Sequence, residues 1–286
     1  MRRDYKLFTP APRPGQAPPR PLVVLLHGCG QDPDDFARGT AMNEAADAQG
    51  CYVLYPAQSR MANAQGCWNW FKHGHQARGH GEPALLAAMT REIIQHHPID
   101  ARRVYVAGLS AGGAMAAILA QAYPELYAAL GVHSGLAAGV AVDVHSALMA
   151  MKGLPGARSP RAASGVPLIA FHGDADHVVH ASNSHQLIAA HVGAADPAQV
   201  RRLPGGHLRD ATRSLYRSSD GRVLAELWTI HGAPHGWSGG RAEGSFTDPL
   251  GPSATAQMLR FFLESNVMSA RRRTPFFWRR LDHGQR

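Results

Sequence analysis

A chain of 286 residues with 45% hydrophobic and 17% charged side chains has the make-up of a folded protein, which excludes disordered, collagenous and coiled-coil chains and is within reach of one large α/β domain. The net charge of +8 is concentrated at one end: the last 16 residues, from Arg271, hold six arginines against the single acid Asp282, so +5 of it lies there. The remaining chain is close to neutral, which points away from a nucleic-acid-binding face.

Residues 1–20 contain Pro10, Pro12, Pro14, Pro18 and Pro19, and therefore make at most one short edge strand (4–9) before an irregular lead-in. Met1 to Lys6 is basic but lacks the apolar stretch of a signal peptide, so the expected location is either the cytoplasm or a compartment reached after a signal has been removed. The run Pro21-Leu22-Val23-Val24-Leu25-Leu26 is apolar throughout, as a strand covered on both faces must be. Further strands are predicted over 51–55, 103–107, 127–133, 167–171 and 224–230, and helices over 83–96, 111–123, 183–191 and 253–264. Strands alternating with helices require crossover connections, hence a mostly parallel sheet flanked by helices. Residues 214–217 and the strand from Leu224 flank Ser218-Ser219-Asp220-Gly221, an Asp-Gly hairpin. Residues 104–124 carry no charge and are long enough to span a bilayer, but Gly108, Gly112 and Gly113 interrupt them around Ser110. A buried strand, tight turn and buried helix account for them better, and no membrane span is expected. The chain thus divides into a lead-in (1–20), one α/β domain (21–266) and a basic, aromatic tail (267–286).

Gly108-Leu109-Ser110-Ala111-Gly112 follows one predicted strand and opens one predicted helix, the context of a nucleophile elbow. Its glycines allow helix and strand backbones to pass where a Cβ would not fit. Gly236-Trp237-Ser238-Gly239-Gly240 matches the same Gly-x-Ser-x-Gly pattern without that context, so Ser238 is assigned to a loop. A serine hydroxyl needs a histidine to take its proton and a carboxylate to hold that histidine, in chain order Ser, acid, His on this kind of sheet. After the strand 167–171 comes His172-Gly173-Asp174-Ala175-Asp176-His177, and after 224–230 comes His231-Gly232-Ala233-Pro234-His235-Gly236. Both lie where open α/β sheets place their sites. Each loop offers two candidates, Asp174 or Asp176 and His231 or His235. His27-Gly28-Cys29-Gly30 follows the first buried strand, and Cys29 N–H with Ala111 N–H are the natural oxyanion donors.

Taken in order, His27-Gly28-Cys29-Gly30-Gln31, Cys67-Trp68-Asn69-Trp70-Phe71, Gly108 to Gly113, the Gly-x-x-Asp-x-x-Val of residues 173–179 and His235-Gly236-Trp237-Ser238-Gly239-Gly240 resemble the short-chain polyhydroxyalkanoate (PHB) depolymerase family of esterases, neighbours of the feruloyl and acetylxylan esterases. The resemblance runs from about Tyr5 to Glu264. It implies an α/β-hydrolase that cleaves poly- or oligo(3-hydroxybutyrate)-type esters through an acyl-enzyme, with nucleophile Ser110, acid Asp176, base His235 and oxyanion donors Cys29 and Ala111. It implies an extracellular or periplasmic enzyme, the alternative being cytoplasmic. A feruloyl or acetylxylan esterase is the nearest rival activity, and a non-catalytic α/β-hydrolase binding protein a weaker one. No cofactor, no nucleic-acid partner and a monomer are expected.

Among the aromatic residues, Trp70 and Phe71 are expected in the core, whereas Trp68 and Trp237 are expected to line the substrate site. Cys29 and Cys67 are the candidates for a disulfide in an oxidising compartment, with Cys51 a small apolar filler. His73, His75 and His80 lie in a glycine-rich loop with no fourth ligand of the kind a tetrahedral metal site needs, and no metal is expected. Glu82-Pro83 is expected to start a helix.

Overall fold

The computed structural model describes residues 3–12, 15, 17–154, 165–193 and 195–270, with side chains as far as residue 265. The elements are, in chain order, β1 (Tyr5–Phe8), β2 (Arg20–Leu26), α1 (Pro33–Thr40), α2 (Met42–Gln49), β3 (Tyr52–Pro56), α3 (Gly81–His96), β4 (Ile99–Leu109), α4 (Ala111–Ala122), β5 (Ala129–His133), α5 (Val144–Met151), β6 (Leu168–Gly173), α6 (Ser182–Val192), β7 (Gln199–Leu203), β8 (Ala211–Arg217), β9 (Val223–Ile230), β10 (Trp237–Ser238), β11 (Thr247–Asp248) and α7 (Ala254–Ala270).

Nine strands form one sheet in the order β1-β3-β2-β4-β5-β6-β9-β8-β7. The six central strands are parallel; β1 pairs antiparallel with β3 at one edge, and β8 and β7 close the other edge antiparallel. Strand β2 shows why its sequence is apolar without alternation. Leu22, Val24 and Leu26 pack into the core shared with α3, α4 and α6, while Val23 and Leu25 pack into the opposite core with α1, α2 and α7. Each face of the sheet therefore carries its own helical layer. Cys51 belongs to the second core, and burial pushes its thiol up to about 12.

From β2 the chain moves to β3 on one side and then to β4 on the other. That reversal opens a crevice at the carboxyl ends of β2 and β4, the usual ligand position in open α/β sheets. Two helices that apolar periodicity does not predict, α1 and α2, fill the β2–β3 connection. Asp32 caps α1, accepting from Asp34 and Asp35 N–H groups, with Pro33 at the first position. Edge strand β7 is also unpredicted, because most of its residues are exposed and polar. The final helix, predicted to end at residue 264, runs to Ala270, and the arginine-rich residues 271–286 lie outside the described residues. Among the described residues no helix is long and apolar enough to cross a membrane.

Candidate active site

Ser110 stands between β4 and α4 at φ 55° and ψ −119°, a backbone region that side-chain-bearing residues avoid. The elbow is possible because Gly112 lies so close to the carbonyls of Leu26 and His27, and Gly108 to the backbone of Gly112, that a Cβ at either position would collide. Ser110 N–H donates to His133 O at 2.8 Å, fixing the turn to the end of β5. The side chain stays partly exposed. Ala111, the first residue of α4, offers one of the helix N–H groups that have no intrahelical acceptor.

The loops after β6 and β9, two and three strands along the sheet from this elbow, are joined by two carboxylate–imidazole pairs. Asp176 Oδ2 lies 2.7 Å from His235 Nδ1, with both side chains buried. Oδ1 of Asp176 accepts from Val178 N–H at 2.9 Å and Val179 N–H at 2.8 Å, and His172 Nε2 stands 3.4 Å from Oδ2. Burial works to raise the Asp176 pKa, but hydrogen bonds from His172 and His235, the charge of His235 and the Val179 amide outweigh it, so the carboxyl is held below its usual range. Asp174 pairs instead with His231, 2.8 Å from its Nδ1, and accepts from Gly232 N–H at 2.6 Å. Both of those side chains are exposed.

Beneath the site His133 is fully buried and stacked between Phe171 and Trp237. Its Nε2 accepts from Ser238 N–H at 2.9 Å, so the proton sits on Nδ1, which faces Ser134 Oγ at 3.1 Å. Burial and the nearby His172 and His235 lower its pKa to about 3, so it is a neutral prop. Ser238, the second Gly-x-Ser-x-Gly serine, is buried in β10 with its hydroxyl donating to Pro252 O at 2.7 Å. Among the described residues its hydroxyl has no imidazole partner.

The loop after β2 is held from several sides. His27 Nε2 accepts from Gln58 N–H at 3.1 Å and its Nδ1–H donates to Gly28 O at 2.8 Å; burial lowers its pKa and keeps it neutral. Gly28 N–H is taken by Gln31 Oε1 at 2.9 Å and Gly30 N–H by Gln65 O at 3.0 Å. Between them Cys29 N–H has no protein acceptor among the described residues. Cys29 and Cys67 form a disulfide, which ties this loop to residues 58–69. That second loop is organised by Glu82. Its buried carboxylate accepts from Asn69 N–H at 2.7 Å, Asn69 Nδ2 at 2.7 Å and Gln58 Nε2. The local sequence around Glu82 signals only a helix start; its burial is set by contacts distant in the chain.

Two site expectations are corrected. Trp68 is 0% exposed and Trp237 is 1% exposed, so neither ring lines an open substrate surface. Trp68 Nε1 donates to His27 O at 3.0 Å, and Trp237 Nε1 donates to Thr255 Oγ1 at 2.9 Å. An indole that finds a partner inside the protein has no reason to stay at the surface. The exposed aromatic ring next to His235 is Phe246, 49% exposed, with its centroid 6.4 Å from that of His235. Among the described residues no group of three or more His, Cys, Asp or Glu side chains is placed to hold a metal ion.

A doubly covered parallel sheet with an elbow serine and a buried Asp–His pair at its strand ends defines the α/β-hydrolase class. The solved acetyl xylan esterase from Aspergillus awamori has this fold, with TM-score 0.66 and 20% identity over 81% of this chain and 88% of that one. Within the class, the chain belongs to the esterase PHB depolymerase family, which matches residues 4–203, including Ser110 and Asp176 but ending before His235. It is similar to poly(3-hydroxyalkanoate) depolymerase C of Paucimonas lemoignei, 31% identical over 233 residues, 76% of this chain and 55% of that protein. It is also similar to feruloyl esterase B of Thermothelomyces thermophilus, 35% identical over 128 residues, 44% of this chain and 43% of that protein. The chain spans about half the length of these curated relatives.

Proposed function

We propose that the chain is a serine carboxylic ester hydrolase acting on poly- or oligo(3-hydroxybutyrate)-type esters through an acyl-enzyme, without a cofactor. The observation that carries the chemistry is the buried 2.7 Å pair of Asp176 and His235, on loops two and three strands along the sheet from the elbow that presents Ser110. Asp176 holds the proton on His235 Nδ1, leaving Nε2 as the base. Ser110 Oγ attacks the ester carbonyl carbon as Nε2 takes its proton. The oxygen that becomes negative accepts from Cys29 N–H and Ala111 N–H, neither of which has a protein acceptor among the described residues. Collapse of the tetrahedral intermediate breaks the bond to the alcohol, whose oxygen receives the proton from His235. Water then repeats the sequence on the acyl-serine, releasing the acid and restoring Ser110.

The polyester reading is supported by the depolymerase likeness running over 76% of this chain, against 44% for the feruloyl esterase. The disulfide beside the oxyanion loop supports action in an oxidising compartment, outside the cytoplasm. The test is a release assay on 3-hydroxybutyrate oligomers, PHB film, methyl ferulate, acetylated xylan and p-nitrophenyl acetate. Turnover of the oligomers above the ferulate and xylan esters is the expected result. Preference for either plant-wall ester would replace the substrate assignment, and no turnover of any ester would sink the enzyme reading.

A further inference from the structure

We infer that Phe246 is a specificity-determining wall of this site, against which the alcohol portion of the ester is held. The inference rests on the reading of Ser110 and His235 as nucleophile and base. Of the exposed large apolar side chains among the described residues, only Phe246 and Tyr5 are aromatic, and Tyr5 belongs to β1 at the sheet edge. The Phe246 ring stands edge-to-face with the His235 imidazole, at an interplanar angle of 78°.

Its backbone is as unusual as its exposure. Phe246 has φ 52°, the left-handed region that a phenylalanine enters only when its surroundings force it. Among the described residues the other non-glycine residues of this kind are Ala41 between α1 and α2, Ser110 at the elbow and Ser134 beside His133. A plain turn here would be served by glycine or asparagine at no strain. A core role would bury the ring.

Contacts on both sides impose the conformation. Ser245 N–H donates to Asp35 Oδ1 at 3.0 Å, its hydroxyl donates to Asp35 Oδ2, and its carbonyl accepts from Gln31 Nε2 at 2.9 Å. The same Gln31 takes Gly28 N–H in the oxyanion loop. On the other side Phe246 O accepts from Trp237 N–H at 2.7 Å, two residues after His235. Gly236 packs on the Phe246–Thr247 backbone, where a Cβ would lie 3.2 Å from the Phe246 carbonyl carbon. Backbone strain held between the oxyanion loop and the His235 loop, with the ring left open, is the pattern of a ligand clamp.

The position also selects which half of the ester it meets. His235 returns its proton to the departing alkoxide, so the ring beside His235 borders the alcohol moiety. A phenyl face gives apolar contact and no hydrogen bond, and therefore favours a branched or aromatic alcohol over methanol. The next unit of a polyester, attached through a secondary alcohol, fits that description.

Phe246→Ala and Phe246→Gly test this on two ester series, one varying the alcohol (methyl, sec-butyl, p-nitrophenyl) at fixed butyrate, the other varying the acyl chain at fixed p-nitrophenol. Both variants should lose roughly 10- to 100-fold in kcat/KM on the sec-butyl and p-nitrophenyl esters, through KM, and much less on the methyl ester. The loss should not depend on acyl length. Phe246→Gly should unfold at the same temperature as the wild type or higher, since it relieves the φ strain. Equal losses on methyl and aryl esters, losses that grow with acyl length, or a lowered melting temperature in both variants would each overturn the assignment. If wild type hydrolyses esters in a Ser110-dependent way and the Phe246 variants behave like it, only the wall is refuted. Absence of Ser110-dependent turnover in wild type refutes the underlying reading instead.

Discussion

Two carboxylate–imidazole pairs cross between the same two loops, at nearly the same separation: 2.7 Å for Asp176–His235 and 2.8 Å for Asp174–His231. Their surroundings differ. In the first pair the side chains are 0% and 7% exposed; in the second, 41% and 37%. Water screens the outer pair, so it is worth at most ~1 kcal/mol as a clasp between the loops. The inner carboxylate has lost water and gained two amides and two imidazoles in its place. His231 even has a hydroxyl on its far nitrogen, Thr212 Oγ1 at 2.9 Å. Thr212, however, lies inside β8, paired on both sides, and not at a strand-to-helix elbow. A hydroxyl, an imidazole and a carboxylate in line are therefore not enough. Burial and unclaimed N–H donors distinguish the inner set.

The sharpest way to break the comparison is at the serine. Ser110→Ala should lower ester turnover by roughly six orders of magnitude with an unchanged circular dichroism spectrum. Ser238→Ala should keep most activity and lose some stability, because the Ser238 hydroxyl serves only Pro252 O. Comparable activity losses in both variants would show that elbow context had selected the wrong serine. Next in size, Asp176→Asn should cost about four orders of magnitude in turnover, since the amide no longer fixes the His235 tautomer. Asp174→Asn should stay within a few-fold of wild type, in keeping with a screened surface pair. A reversal of these two outcomes would transfer the role to the outer pair.

How far the sequence reveals this depends on whether the signal is local. The central parallel strands are legible because burial on both faces leaves continuous apolar runs such as 22–26, and Ser110 is legible because the elbow needs its glycines within two residues. The loops after β6 and β9 are legible as acid and histidine sources at strand ends. Choosing Asp176 over Asp174 from the residues alone is not, since the difference is burial, set by residues far away in the chain. Trp68 and Trp237 fail for the same reason: residue type gives the size of a ring but not its direction. Helices α1 and α2 carry local signals, the Asp32 cap, Pro33 and the left-handed Gly50, that apolar periodicity passes over. Phe246 has almost no local signal, because its strained backbone is imposed by Asp35 and Gln31, more than two hundred residues away.

A smaller effect is expected at the proposed oxyanion loop, which differs from the Asp176 loop in being held covalently. The disulfide closes a separation of 38 residues, and its loss should cost up to about 4 kcal/mol of stability in the chain-entropy account. Reduction leaves the proposed triad of Ser110, Asp176 and His235 untouched but frees the proposed oxyanion donor Cys29 N–H to drift, so kcat should fall roughly 10- to 100-fold while KM changes little. Peptide mapping without reductant should show Cys29 joined to Cys67 and Cys51 free. Full activity after verified reduction would show that Gln31, Gln65 and His27 alone position the loop.

The smallest expected effect concerns pH, and it separates the buried imidazoles from the carboxylate they support. Burial, with help from His172 and His235, lowers His133 from 6.5 to about 3, and burial also lowers His27. The unfolded chain takes up these protons below about pH 6.5, while the folded chain does not. Stability is therefore complete above that pH and declines as pH falls. His133 alone contributes a slope of about 1.4 kcal/mol per pH unit between roughly pH 6 and 4, and His27 adds in the same direction. Asp176 has the opposite origin and a lower window. Its depressed pKa adds stability that is present above the ordinary carboxylate value, near 3.8, and lost only as pH drops further. Denaturant unfolding at pH 7, 6, 5 and 4.5 thus reads the imidazoles with the carboxylate still ionised. His133→Gln should reduce the slope by about one proton. A wild-type stability that is flat from pH 6 to 4.5 would mean that His133 is charged in the folded protein, and that its ring does not accept from Ser238 N–H.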